Sequence, residues 1–260
     1  MNAFLIGLQF LTRISIVKQT VWTEEDFGGS VKYFPAVGAV LGIIYALAIL
    51  IVTFIISGNL TVKFPMLLSA VILTLTVAMT GAIHCDGFMD SMDGLFSGRS
   101  RERMLEIMKD SRVGAFGVTS FVMLAILNFA LLTELASGEI LTLISAVYSM
   151  PIIGRLMMVI VIGAFPYARP EGMGKAFAQY TTKFVILTAA LETLILLLPV
   201  LILSFDMLNS IITALALTLM FTLYFGRFSV KKLGGVTGDI YGAVEIISES
   251  IVLLAFLISI

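Results

Sequence analysis

The sequence predicts an all-α fold: a polytopic transmembrane helix bundle of about seven spans with a cytoplasmic N-terminus. Three features predict it. Of 260 residues, 59% are hydrophobic and only 13% charged, where a soluble domain averages about 25% charged. The apolar residues gather in runs free of Asp, Glu, Lys and Arg, at 33–62, 64–83, 113–133 and 207–226. A helix needs about 20 apolar residues to cross the hydrocarbon core of a bilayer. Finally, fourteen of the sixteen Lys and Arg fall in alternate connections, on one side of the expected bundle.

In chain order, the spans are expected at about 35–57, 64–83, 113–134, 140–163, 184–205, 208–226 and 240–260. Phe4–Leu11 is too short to cross and is expected in the interface. Arg13, Lys18 and Lys32 precede the first span. Arg99, Arg101, Arg103, Lys109 and Arg112 separate spans two and three. Arg169, Lys175 and Lys183 separate spans four and five, and Arg227, Lys231 and Lys232 separate spans six and seven. Only Lys63 falls on the opposite side, and Arg155 lies inside span four. The positive-inside rule then places the N-terminus in the cytoplasm and the C-terminus outside. No basic stretch with a small-residue cleavage site opens the chain, so no removed signal peptide is expected. With no repeat, low-complexity tract or soluble segment, residues 1–260 read as one integral membrane domain, its polar chemistry in a cytoplasmic catalytic loop at about 84–112. The net charge of −1 excludes a nucleic-acid footprint. The single cysteine, Cys85, forms no internal disulfide and reads as a small filler.

The loop after span two carries the chemistry. Asp86, Asp90 and Asp93 recur at i, i+4 and i+7, one face of a helix. Three carboxylates on one face repel one another unless a cation sits among them. Magnesium, a hard ion, takes a few carboxylates plus substrate phosphates. A solvated helix end accounts less well for the stacked spacing flanked by Gly87 and Gly94. His84 is the only histidine, and it reads equally as base or ligand and as a hydrogen-bonded structural residue. Arg99, Arg101, Arg103, Lys109 and Arg112 hold the loop inside, and the arginine forks also suit phosphate oxygens. Asp110 either joins the metal site or pairs with Lys109 or Arg112. Met104–Met108 reads as an amphipathic helix on the membrane surface.

Elsewhere, the run Gly234-Gly235-Val236-Thr237-Gly238-Asp239 before the last span is either a plain turn or an anion cradle built on Gly235, Thr237 and Gly238. Asp239 falls on the same side as the Asp triad. Residues 165–175, with Arg169 between two prolines, form either a lid or a connection. Charges within a span are costly and turn inward by default. Glu192, Glu245 and Glu249 therefore face the interior or a wet cavity, and Arg155 is a partner for one of them or a phosphate ligand.

On these residues the chain resembles the cobalamin synthase family. The similarity begins at Leu8–Arg13 and Tyr33–Gly38 and centres on His84–Gly117, through His-x-Asp-Gly, Asp-Gly-Leu-Phe-Ser-Gly-Arg and Lys-Asp-Ser-Arg-Val-Gly. It continues through Tyr167–Gly174 to Gly234–Ala243, nearly end to end. Cys85 and Phe88-Met89 stand where the family often has Leu, beside the acids. The resemblance implies a magnesium-dependent transferase of the cytoplasmic membrane. It would join adenosylcobinamide-GDP to α-ribazole or its 5′-phosphate and release GMP. Asp86, Asp90 and Asp93 would be its metal set. Expected partners are these substrates, the bilayer, a second copy of the chain or other corrinoid-pathway enzymes. The CDP-alcohol phosphotransferases share the metal logic, but their Asp-Gly-x-x-Ala-Arg pattern is absent here. An ion-coupled transporter using Glu245 and Glu249 would leave the Asp triad unexplained, as would a membrane scaffold.

Overall fold

The computed structural model describes residues 2–17 and 23–259. Lys18 of the basic set and Ile260 of the last expected span lie outside the described residues. Twelve α-helices appear among them: α1 Ala3–Leu11, α2 Glu24–Ser30, α3 Phe34–Ser57, α4 Pro65–Thr80, α5 Ile83–Leu95, α6 Arg101–Ile107, α7 Ala115–Ser137, α8 Ile140–Ala164, α9 Met173–Tyr180, α10 Lys183–Leu203, α11 Leu208–Leu233 and α12 Gly238–Ile258. No strand forms among the described residues, and the sole bridge joins Tyr167 to Val236.

Six helical segments are long and apolar enough to cross a membrane, or seven if α4 and α5 count as one bent span. The bend is the main departure from the expected second span. The apolar run continues to Ile83, yet α4 stops at Thr80 and α5 departs at 89°. Gly81 (φ +63°) and Ala82 (φ +63°) both take the left-handed conformation, which ends a right-handed helix. For alanine that conformation costs on the order of 1–3 kcal/mol, held in place by surrounding packing. The expected loop at 84–112 is therefore largely helical.

α8 is the axis of the bundle, with 83% of its most apolar window buried. It packs against α3 and α12 and, less extensively, α10 and α11. Bilayer helices associate through close backbone approach at small residues. Gly38 and Gly42 provide it on α3, where any side chain would run into the backbone carbonyls of Pro151 and Tyr148. The outer faces of α3, α7 and α10 expose Ile55, Met123, Ile126 and Ile202, as lipid contact requires.

The short helices cover one end of the bundle. α1 buries Ile6, Leu8 and Leu11 against α2 and α3. α6 differs from the surface helix expected over Met104–Met108. Met104 and Met108 are buried, and Met108 meets α5 at Gly94. Their apolar face finds protein, because a glycine on α5 leaves room for it.

Candidate active site

α5 lies between α7 and α12. Glycines set its depth: Gly87 faces the Asp239 backbone, and the α-carbon of His84 faces Gly242. Phe96 anchors its far end, stacked on Phe228 with ring centroids 5.8 Å apart. The acidic residues occupy the helical stripe their spacing predicts, but their surroundings differ. Asp93 is committed. Its two carboxylate oxygens accept from the backbone N–H groups of Gly114 (2.6 Å) and Gly117 (2.8 Å). These groups open α7, where free N–H groups and the helix dipole favour a carboxylate. Asp86 is exposed and Asp90 half-buried. Neither side chain takes a hydrogen bond or ion pair among the described residues.

Opposite them stands a second pair. Arg169 donates to Asp239 (2.8 Å) and to the carbonyl of Met108 (3.3 Å), and Thr237 donates to the same Asp239 oxygen (3.2 Å). Two backbone bonds hold this wall together. Ala168 donates to the Val236 carbonyl, and Val236 to the Pro166 carbonyl, both at 2.8 Å. Gly235 is buried in this junction, where a side chain would strike Pro166 and Ala168. Thr237 caps the N-terminus of α12. The glycine run is thus clamped to the 165–172 segment, and Gly238 alone of the three expected anion-cradle residues lines open space. That space is a cavity of about 270 Å³ enclosed by His84, Asp86, Tyr167, Arg169, Asp239 and Tyr241, with Gly238 at its edge.

The remaining basic residues divide. Arg101 braces the wall, donating to the carbonyls of Leu233 (2.7 Å) and Ala168 (3.4 Å). Arg103 pairs with Glu106 at the surface (2.7 Å). Arg112 pairs with Asp110 (2.8 Å), whose carboxyl those hydrogen bonds pull down to about 2. Asp110 therefore takes the pairing alternative and stands apart from the acid stripe. Arg99 and Lys109 are exposed and line no part of the cavity.

Arg155 is placed otherwise than a phosphate ligand requires. It is fully buried and donates to Glu245 (2.6 Å), Glu249 (3.2 Å) and the Pro151 carbonyl (3.1 Å). His84 completes the group. Its Nε2 lies 3.5 Å from the Arg155 guanidinium and its Nδ1 3.8 Å from Glu245. A desolvated guanidinium needs such neighbours at this depth.

A family model described as cobalamin-5-phosphate synthase matches residues 3–257. The chain belongs to the cobalamin-5-phosphate synthase family. It is 40% identical to an adenosylcobinamide-GDP ribazoletransferase of Desulfitobacterium hafniense, across 98% of this chain and 96% of that one. It is 34% identical to one from Fusobacterium nucleatum, across 99% and 98%. No solved structure matches.

The cavity offers the carboxylate of Asp86 for a cation and the guanidinium of Arg169 for an anion. Among the described residues, no three His, Cys, Asp or Glu side chains converge into a group that holds a metal unaided. Magnesium does not require one, since it is ordinarily held by one or two carboxylates with water and substrate phosphate completing the shell. Asp86 and Asp90, uncommitted and one turn apart, fit that need. Asp93 orients the stripe by its hold on α7. Sequence reading passed over Tyr167 and Tyr241, because aromatic residues beside apolar runs give no charge signal. The pairing of Arg169 with Asp239 joins positions 70 residues apart and leaves no local trace.

Proposed function

We propose that this chain transfers the cobinamide phosphoryl group of adenosylcobinamide-GDP to the 3′-hydroxyl of α-ribazole or its 5′-phosphate. The products are adenosylcobalamin, or its 5′-phosphate, and GMP. Nearly end-to-end similarity to relatives of that name supports the reaction. The observation that carries the site is the open carboxylate of Asp86, which shares one cavity with Arg169, with the uncommitted Asp90 one turn further along α5.

In this reading the ribazole 3′-oxygen bonds to the phosphorus attached to cobinamide. The bond from that phosphorus to the bridging oxygen breaks, and the electron pair leaves with GMP. The hydroxyl proton passes to a carboxylate, to His84 or to water. Asp86 and Asp90 would hold magnesium, which as a Lewis acid offsets charge on the transferring and bridging oxygens. Arg169 presents a guanidinium to the diphosphate, and Asp239 fixes its plane. Arg101 keeps the wall beneath Arg169 in place. Tyr167 and Tyr241 narrow the cavity and limit water at the phosphorus. The basic residues that flank these elements favour an active site facing the cytoplasm, in a cytoplasmic membrane.

The test is GMP release by the purified chain in lipid nanodiscs, given adenosylcobinamide-GDP, α-ribazole and magnesium. GMP formed in step with a cobalamin product is expected. A folded preparation that forms neither product rejects the reading.

A further inference from the structure

A second cavity, of about 440 Å³, opens on the other side of His84. The bend at Gly81-Ala82 creates it. α4 packs on α7 while α5 packs on α12, so the four helices splay around a wedge. Its walls are apolar, with Val77 from α4, Phe121 and Leu124 from α7 and Ile246 from α12. Its polar groups are three α4 threonines whose hydroxyls bond their own helix, Glu245 and Glu249 already paired with Arg155, His84, and Asn128.

Asn128 is the telling residue. It is only 9% exposed, and its Oδ1 has no hydrogen-bond partner among the described residues. A buried amide oxygen in a membrane helix is costly unless a partner reaches it. A lipid chain filling the wedge would satisfy the walls and leave this oxygen unpaired. A ligand with a flat apolar ring and a hydrogen-bonding sugar satisfies both. The volume also lies within the range of small-molecule sites, about 300–1,000 Å³.

The placement relative to the first cavity decides which ligand this is. His84 lines both cavities, with Asp86, Arg169 and Asp239 on one side and Asn128 on the other. In phosphoryl transfer the attacking and leaving oxygens stand roughly in line on opposite sides of phosphorus. A diphosphate donor held by the charged cavity is therefore met by an acceptor from the apolar one. We infer that the wedge between α4, α7 and α12 is the acceptor site, taking the apolar heteroaromatic base of an N-riboside. Asn128 bonds this nucleoside, and the sugar hydroxyl points toward His84. This rests on the ribazoletransferase reading and goes beyond it by separating the two substrates between two cavities.

The experiment measures KM for each substrate in nanodiscs, and equilibrium binding of radiolabelled α-ribazole without donor. Leu124→Trp and Val77→Phe fill the wedge from opposite walls, and Asn128→Leu removes its amide. Each is expected to raise KM for α-ribazole at least tenfold and to weaken its binding in parallel. KM for adenosylcobinamide-GDP should stay within twofold, which also shows that the variant is folded. Wild-type turnover with unchanged ribazole KM in all three variants would overturn the acceptor site alone. A rise confined to the donor KM would do the same, and so would a ribazole KM that tracks lipid chain length, the mark of a lipid-filled wedge. No GMP from the wild type would reject the parent reading and this inference with it.

Discussion

Two groups of ionisable side chains flank His84, and they are built in opposite ways. Beneath it, Arg155, Glu245 and Glu249 answer one another, with Arg155 fully buried and every named contact within 3.2 Å. Above it, Asp86 and Asp90 have no partner among the described residues, and Asp93 is answered only by backbone. The lower group is paired within itself, although its two glutamates also border the wedge, and the upper one is unpaired. A paired group spends its charge on holding helices together. An open row of carboxylates that begins at a cavity wall, at Asp86, is left free for a cation that arrives. The contrast assigns stability to one and chemistry to the other, and variants can separate them.

The largest expected effect belongs to the paired group. Arg155→Ala would strand Glu245 and Glu249 without their counter-charge, and breaking a buried pair costs about 3–5 kcal/mol. Thermal unfolding in detergent should show that loss, with activity falling only as folded protein falls. Next come Asp86→Asn and Asp90→Asn. Each should lower turnover roughly a hundredfold, as removal of a main electrostatic group does, while the unfolding midpoint holds. A lowered midpoint without lost turnover would reverse the assignment. Asp93→Asn should do some of both, because its carboxylate caps α7 and shares the stripe. Arg169→Ala should raise KM for adenosylcobinamide-GDP about tenfold, in line with a lost charged hydrogen bond. Smallest are Arg103→Ala and Arg112→Ala, which interrupt exposed pairs of little worth and should leave turnover within about twofold.

The sequence carried the membrane class in the length of its charge-free runs, and the acid stripe in the i, i+4, i+7 spacing. Both are local periodicities that a helix converts directly into geometry. The bend was not legible. Gly81 alone hints at it, and nothing local marks Ala82 for the left-handed conformation that it takes. The Arg169–Asp239 pair depends on the two backbone bonds between Ala168, Pro166 and Val236, which no spacing rule anticipates. Arg155 illustrates a third kind of miss. Its charge was visible in span four and its possible acidic partners in the last span, but only the crossing of α8 and α12 chooses pairing over phosphate binding. Likewise Asn128 reads as an ordinary polar residue in an apolar run until the wedge around it is seen.

The most direct test of the open stripe uses the wild type and the Asp86→Asn/Asp90→Asn double variant in nanodiscs. Both receive adenosylcobinamide-GDP, α-ribazole and magnesium, and GMP release is measured alongside thermal unfolding. Steady GMP release from the wild type is predicted, with loss of at least a hundredfold in an equally stable double variant. Undiminished release from the double variant would contradict the account.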